Sequence, residues 1–144
     1  MASTERTVAN SLFLLRLVLG LFLLQWTIEK FVKPEVTARI FETFYFIDIG
    51  PEYAWVFGVP QLIIVLAFLA GFLPTVSYGL CVAMHLISTL STWQRLIDPF
   101  EGVNHLFTAA VPVLAAFWVL FALRDRDTLF SVSHWLKTRR GMVG

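Results

Sequence analysis

The longest uncharged stretch of the chain runs from Tyr53 to Gln94, and no Asp, Glu, Lys or Arg occurs within it. A helix needs about 20 apolar residues to cross the roughly 30 Å hydrocarbon core of a bilayer. The stretch is too long for one such helix and long enough for two, and Gly71 and Pro74 mark a turn between them. The sequence therefore predicts two membrane-spanning helices, over residues 53–72 and 75–95.

Two further apolar stretches complete the predicted architecture. The first covers residues 11–30 and is largely apolar, with Arg16, Gln25, Glu29 and the terminal Lys30 as its charged and amide residues, while the second covers residues 102–123 and contains no Asp, Glu, Lys or Arg. Because each stretch is long enough to cross a bilayer once, the chain has four predicted spans. We therefore expect one all-α domain over the whole chain, an integral membrane four-helix bundle.

Composition excludes several other classes of protein. Hydrophobic residues make up 58% of the 144 residues and charged residues 15%, against about 25% charged residues in an average soluble domain. So few charges cannot cover the large relative surface of a small soluble domain, which argues against a soluble enzyme and against a disordered tail. The formal net charge of +1 provides no polyanion-binding surface, so we expect no nucleic-acid partner. The single cysteine excludes a disulfide framework and a cysteine-based zinc site, and we expect no metal.

Two shorter segments carry apolar residues on one helical face. In residues 34–47 this face includes Ile40 and Phe44, and in residues 128–138 it includes Leu136. We predict a short amphipathic helix between the first and second spans, and a C-terminal interfacial helix held on an anionic leaflet by the basic residues beside it. Ordinary amphipathic packing against the bundle is the alternative for both segments.

The distribution of basic residues predicts the orientation of the chain. With four spans, both termini and the turn between the second and third spans lie on the same side. Lys and Arg favour the cytoplasmic side, and this side carries six of them against four on the other. We therefore expect a multi-pass protein of a bacterial-type plasma (inner) membrane with both termini cytoplasmic. The six are Arg6, Arg124, Arg126, Lys137, Arg139 and Arg140, and the four are Lys30, Lys33, Arg39 and Arg95.

Polar residues near the non-cytoplasmic ends of the spans form the candidate site. Polar side chains retained in a bilayer usually face the bundle interior or a wet cavity. Glu101 and His105 are four residues apart, which is close enough on a helix to exchange a proton, and His85 belongs to a polar stripe along the third span that continues through Ser88. The alternatives are structural, because small polar residues pack between helices, Trp forms belts at membrane interfaces and charges at helix ends are solvated. The candidate ligand-binding residues are Gln25, Trp26, Glu29, Lys30, Gln61, His85, Trp93, Arg95, Glu101, Asn104 and His105, together with the deeper Arg16.

Arg16 is the charged residue that lies deepest in a predicted span, roughly 8 Å inside the cytoplasmic boundary at 1.5 Å of helical rise per residue. Its candidate partners are lipid phosphate reached by snorkelling, Asp125 or Asp127, and Tyr78 together with backbone carbonyls. We favour snorkelling or a structural pairing, with an anionic ligand as the alternative.

Arg16, Gly20 and Lys30 stand in the first span with the spacing R-x3-G-x9-K. This pattern resembles the opening helix of the DoxX-like family of small four-helix membrane proteins, and the resemblance covers residues 11–123. It implies a place in membrane redox systems, including quinone-linked sulfur oxidation and thiol or oxidative-stress complexes. Distant relatives of similar fold act as membrane chaperones or cargo receptors.

Two classes of function follow from these observations. The first is an accessory, non-catalytic subunit of a quinone- or thiol-linked redox system that binds a quinone or a partner oxidoreductase near the outer ends of the spans. A quinone needs an apolar slot for its tail and polar groups for its carbonyls, such as Trp26, Gln61 and His105. The alternative is a non-enzymatic assembly factor or chaperone, or a small transporter, and the small residues of the third span also suit a homo-oligomer. Haem held by His85 and His105 is disfavoured, because the helical rise separates them by roughly 9 Å.

Overall fold

The computed structural model describes residues 2–141 of the chain. Helix accounts for 83% of the structure, and no strand occurs within the described residues. The α-helices in this part of the chain are α1 (Ala2–Val32), α2 (Pro34–Ile40), α3 (Ala54–Leu69), α4 (Pro74–Ser91), α5 (Trp93–Ile97), α6 (Ala110–Ala122) and α7 (Val132–Gly141). Short turns of other helix types cover Phe41–Tyr45, Pro51–Tyr53, Asn104–Ala109 and Arg124–Arg126.

Three of the helical segments are long and apolar enough to cross a membrane. They are Ser3–Val32, Pro51–Leu69 and Asn104–Ala122. The prediction of an all-helical chain is confirmed for the described residues, and these three segments have the length and hydropathy that a membrane span needs. α4 is not among the three, because its Ser, Thr and His residues lower its mean hydropathy.

One hydrophobic core lies between α1, α3, α4 and α6. α1 packs closely on α3, since a Cβ atom added at Gly20 would collide with the side chain of Leu69. Within the core, the ring of Phe68 lies 4.8 Å from Tyr78 and 5.8 Å from Phe117 between centroids, so aromatic contacts connect α3 to α4 and α6. The buried hydrophobic residues of this core are Leu12, Leu19, Leu23, Val65, Phe68, Tyr78, Cys81, Phe117 and Leu120.

The molecule has two ends with different local structure. At the end that we call the turn end, α3 reverses into α4, Gly71 and Leu73 have positive φ angles of 61° and 46°, and Pro74 opens α4. Gly71 suits such a conformation because it has no Cβ atom, and a proline fits the first turn of a helix, where backbone N–H groups lack partners. At the opposite end, the α2 end, the Phe41 ring packs 4.5 Å from that of Phe57 between centroids. α2 and the turn that follows it therefore lie against the start of α3.

The helical boundaries near the α2 end differ from the predicted ones. The predicted third span, residues 75–95, divides at Thr92 into α4 and α5, where the hydroxyl of Thr92 donates to the carbonyl of Thr89 at 2.9 Å. Such side-chain bonds compete with the helical backbone pattern. The predicted fourth span begins with a 3₁₀ turn rather than an α-helix. Pro112 lacks the N–H that would bond to the Thr108 carbonyl, so the α-helical pattern starts only at Ala110.

The two predicted amphipathic segments are helical over somewhat different residues. The first, predicted over residues 34–47, comprises α2 and the Phe41–Tyr45 turn and ends at Phe46, whose φ is 57°. The second, predicted over residues 128–138, begins later as α7. Phe130 has a φ of 49°, a left-handed conformation that delays the start of the helix.

Candidate functional site

The outer candidate residues do not form one connected cluster. Arg95 donates through Nη1 to Oδ1 of Asn104 at 3.2 Å, and Asn104 donates through Nδ2 to the carbonyl of Asp98 at 2.9 Å. Asn104 is buried, with 3% of its surface exposed. These two bonds connect α5 to the 3₁₀ turn that leads into α6, so Arg95 and Asn104 stabilise the loop between the last two long helices.

Gln25 and Glu29 lie on a different surface, on the outward face of α1. With Ile28, Val32 and Lys33 they line an open groove of about 210 Å³. The groove combines an amide, a carboxylate and an ammonium group with apolar side chains. Gln25 and Glu29 are therefore two candidate residues that share one open, shallow surface of α1.

Lys30 and Trp26 turn away from this groove in different ways. The Lys30 ammonium donates to the carbonyl of Trp26 at 3.3 Å, and the start of the Lys30 side chain packs near Gly58 of α3. The Trp26 ring is partly exposed and has an edge contact with Phe22 at 6.5 Å between centroids. Lys30 therefore belongs to the contact between α1 and α3, which small residues such as Gly58 make close.

His85 lies in the core and not near the outer residues. Its Nε2 atom is 3.0 Å from the carbonyl of Ala110, and its ring packs 5.8 Å from Phe22 and 5.3 Å from Phe117. The buried polar face of α4 continues from His85 to Thr89, four residues on, while Ser88 is exposed. The predicted polar stripe passes through Ser88, whereas the buried polar face of α4 passes through Thr89, one residue later.

The remaining outer candidates are more exposed. Trp93, Glu101 and His105 have exposed side chains, and Gln61 is half-buried. Within the described residues, Glu101 and His105 form no hydrogen bond or ion pair with each other. The carbonyl of His105 accepts a hydrogen bond from the Thr108 hydroxyl at 2.6 Å, which stabilises the backbone of this turn. The four residues therefore remain available to solvent, lipid or a partner.

A fully buried charged side chain lies at the turn end. Arg16, with none of its surface exposed, pairs through Nη1 with Oδ2 of Asp127 at 3.2 Å and donates to the Tyr78 hydroxyl at 3.2 Å. Tyr78 in turn donates to Oδ2 of Asp127 at 2.7 Å. Nη2 of Arg16 donates to the carbonyls of Leu129 and Phe130 at 2.7 and 3.1 Å. We call Arg16, Tyr78, Asp127 and these two carbonyls the arginine clamp.

Burial and pairing have opposite effects on the pKa of Asp127 in the clamp. Burial raises the pKa of the Asp127 carboxyl above its ordinary value, and the Tyr78 hydrogen bond and the charge of Arg16 oppose that rise. Nε of Arg16 and Oδ1 of Asp127 are buried without a hydrogen-bond partner in the described structure. The clamp is therefore a buried ion pair in which some hydrogen bonds are not formed. The two atoms without partners, Nε of Arg16 and Oδ1 of Asp127, belong to groups of opposite charge.

The clamp sits beside a set of backbone bonds that sequence reasoning missed. Val132 donates to the carbonyl of Ala70 at 3.0 Å, Ser133 donates to that of Gly71 at 3.2 Å, and the Ser131 hydroxyl donates to the same Gly71 carbonyl at 3.0 Å. These bonds fix the chain after α6 to the α3–α4 turn. Backbone acceptors and donors have no residue-type signal, so only the buried charge of Arg16 indicated that partners had to be nearby.

The described residues contain no group of three or more His, Cys, Asp or Glu side chains placed to bind a metal ion. Comparisons with protein-family models, with curated proteins and with solved structures find no match for the chain.

Proposed function

We propose that the chain is a membrane protein of the DoxX-like type in which α1, α3, α4 and α6 all cross the bilayer. α4 contributes Tyr78 and Cys81 to the same core as the three more apolar helices. Tyr78 near its start meets the arginine clamp, and Arg95 shortly after its end meets the beginning of the last long helix. Because α4 has contacts with the neighbouring segments near both of its ends, it extends along the same length as the other long helices, which supports a fourth crossing. On this proposal the termini lie in the cytoplasm of a bacterial-type plasma (inner) membrane.

We further propose that the protein is a non-catalytic accessory subunit of a redox system and binds a quinone at the outward groove of α1. The single observation that carries this proposal is the combination of Gln25 and Glu29 with Ile28 and Val32 in one open groove. A quinone reaches such a groove from the lipid phase. The Gln25 amide can donate to a quinone carbonyl, while the apolar side chains accommodate the ring and the start of the tail.

Quinone binding can be tested on the purified protein in lipid nanodiscs. Quinones quench indole fluorescence, and the partly exposed Trp26 follows Gln25 directly in the chain. Titration with a short-chain ubiquinone is expected to quench the fluorescence with saturation. The variant Gln25→Leu removes the donor without opening a cavity and is expected to weaken binding by about threefold to tenfold, the effect of one hydrogen bond.

The matched control is Gln94→Leu, which changes an exposed glutamine in α5 far along the chain from the groove. It is expected to leave the quinone affinity unchanged. Linear, non-saturating quenching in the wild-type protein, or equal weakening by both variants, would contradict a quinone site at the groove.

A non-enzymatic assembly factor is the second candidate function. It is favoured by the apolar side chains at the α2 end, where Phe46, Ile97 at the end of α5, and Phe100 are 78%, 71% and 94% exposed. Isolated exposed apolar residues are common, but large ones on neighbouring loops indicate a contact surface for protein or membrane. Pull-down in mild detergent distinguishes the candidates, because a stable partner without redox activity that is lost with Phe100→Ser supports the assembly factor. Co-purification of an oxidoreductase supports the redox subunit.

A further inference from the structure

Hydrogen bonds attach α7 to the rest of the described chain through its first residues and the segment before it. The hydrogen bonds that join this region to the α3–α4 turn, within the described residues, involve residues 131–133, and those to Arg16 involve Leu129 and Phe130. Beyond Ser133 the side chains are largely exposed, including Trp135 at 51%. Phe130, just before the helix, is 74% exposed. A firmly anchored helix therefore presents an unpartnered surface at the turn end.

The unpartnered surface is positively charged. Arg126, Lys137, Arg139 and Arg140 are exposed, and none of them forms an ion pair in the part of the chain that the structure describes. Of the two acids between α6 and α7, Asp127 is buried against Arg16 and only Asp125 is exposed, so the four exposed basic residues outnumber the exposed acid of this segment. The charge is thus free to attract an anionic surface.

The arrangement of side chains on α7 matches a membrane interface. At 100° per residue, Val132, Trp135 and Leu136 share one face of the helix. The guanidinium of Arg139 lies on the same side, 4.1 Å above the Trp135 ring. Indole rings and arginine side chains both prefer the headgroup region, where apolar and polar surroundings meet.

We propose that α7 is a binding element for anionic phospholipids in the leaflet at the turn end. Trp135 and Phe130 enter the interface between headgroups and acyl chains. Lys137, Arg139 and Arg140 contact the lipid phosphates. The proposal rests on the membrane insertion proposed above and is independent of the redox role. The arginine clamp holds the start of α7 at the level where these contacts form.

Hydrogen exchange of the full chain in nanodiscs tests the proposal. We compare phosphatidylcholine discs with discs that also contain phosphatidylglycerol and measure the exchange rates of the α7 amides. Phosphatidylglycerol is expected to slow this exchange by about 100-fold, because each basic residue near an anionic surface contributes a factor of about five. Added salt is expected to reduce the difference through screening.

A pair of matched double variants separates lipid contact from the general effect of charge. Lys137→Gln/Arg140→Gln removes two basic residues of α7 and is expected to bring exchange in phosphatidylglycerol discs to within about fivefold of that in neutral discs. Lys33→Gln/Arg39→Gln removes two exposed basic residues near the α2 end and is expected to retain the full protection.

Three results would overturn the proposal. The first is that the α7 amides exchange at the same rate in both kinds of disc. The second is that both double variants lose protection equally. The third is protection produced in neutral discs by polyglutamate while phosphatidylglycerol gives none, which would assign α7 to an acidic protein. Failure of the chain to remain in discs contradicts the proposed membrane function itself, whereas unprotected α7 in an embedded chain contradicts only the lipid site.

Discussion

The Arg16 guanidinium obtains one carboxylate, one hydroxyl and two carbonyls from segments far away in sequence. Tyr78 belongs to α4, and Asp127, Leu129 and Phe130 follow α6. Removing a charge from water costs several kcal/mol unless it is paired and hydrogen-bonded. A charge inside α1 therefore requires that these segments be in place, so the residue couples the packing of the helices to the position of the chain after α6.

The variant Asp127→Asn tests this coupling by replacing the carboxylate with a neutral amide. The substitution keeps the shape of the side chain but leaves the Arg16 charge buried without its counterion. We expect the free energy of unfolding to fall by about 3 kcal/mol, near the lower end of the range for broken buried ion pairs. The measurement is unfolding in mixed detergent and dodecyl sulfate micelles, followed by circular dichroism.

Asp125→Asn is the matched control, because Asp125 is exposed two residues earlier. Its effect should stay within about 0.5 kcal/mol, as for most surface substitutions. Similar losses in both variants would show that the Arg16–Asp127 pair has no special part in stability.

Sequence reasoning reached Arg16 but only part of its surroundings. A single deep charge in an apolar helix stands out in any sequence, and Asp127 and Tyr78 were among its predicted partners. The carbonyls of Leu129 and Phe130 could not be chosen, since every residue carries a carbonyl and only the folded path brings these two to the guanidinium. Helical periodicity placed His85 on the polar stripe of the third span and made it a candidate ligand residue, whereas its side chain packs against Phe22 and Phe117 in the core.

At the scale of helices and turns, the α3–α4 connection combines unusual backbone conformation with close packing. Gly71 has a φ of 61°, and a Cβ atom there would collide with the Arg16 guanidinium and approach the Ser131 side chain. A left-handed conformation costs a residue with a Cβ atom about 1–2 kcal/mol. The turn therefore needs glycine for two independent reasons, and the second involves the arginine clamp.

Comparison of Gly71→Ala with Gly102→Ala separates these two reasons. Gly102 has a similar φ of 53° but no heavy atom near the position of a Cβ. Gly102→Ala should therefore cost only the backbone strain of about 1–2 kcal/mol. Gly71→Ala should cost at least about 1 kcal/mol more, because the arginine side chain must move away from buried partners.

Thermal unfolding in the same detergent measures both variants. Equal shifts of the melting temperature would contradict a steric role for the turn, and a larger shift for Gly102→Ala would show that backbone strain dominates. Far-ultraviolet circular dichroism confirms that both variants retain their helices before melting.

The element boundaries show which local signals the sequence contains. Long apolar runs predicted the long helices, and Gly71 and Pro74 correctly indicated the turn between α3 and α4. The division between α4 and α5 depends on the hydroxyl of Thr92 and on the Arg95–Asn104 bond, which is a contact between separate segments. Hydropathy averages over such contacts, so the second, third and fourth predicted spans run past the ends of α3, α4 and α6, whereas α1 extends beyond the first predicted span at both ends.

For the whole molecule, the decisive question is whether α4 crosses the bilayer with the other three helices. α1 and α4 run from the turn end to the α2 end, and α3 and α6 run back. Four crossings then return the chain to the side on which it began. If α4 lay outside the hydrocarbon core, the chain would cross only three times. The start of α1 and the end of α6 would then lie on opposite sides of the membrane.

Cysteine labelling in vesicles distinguishes four crossings from three. Cys81 is fully buried, so the unmodified chain should resist a membrane-impermeant maleimide and serve as its own background. Thr4→Cys, Thr43→Cys and Thr138→Cys place single exposed thiols in α1, in the turn after α2 and in α7. We expect Thr4→Cys and Thr138→Cys to react from the same side and Thr43→Cys from the other, because four crossings alternate the ends. Reaction of Thr4→Cys and Thr138→Cys from opposite sides would refute the four-span arrangement, and their reaction in right-side-out rather than inverted vesicles would reverse the orientation that the basic residues predict.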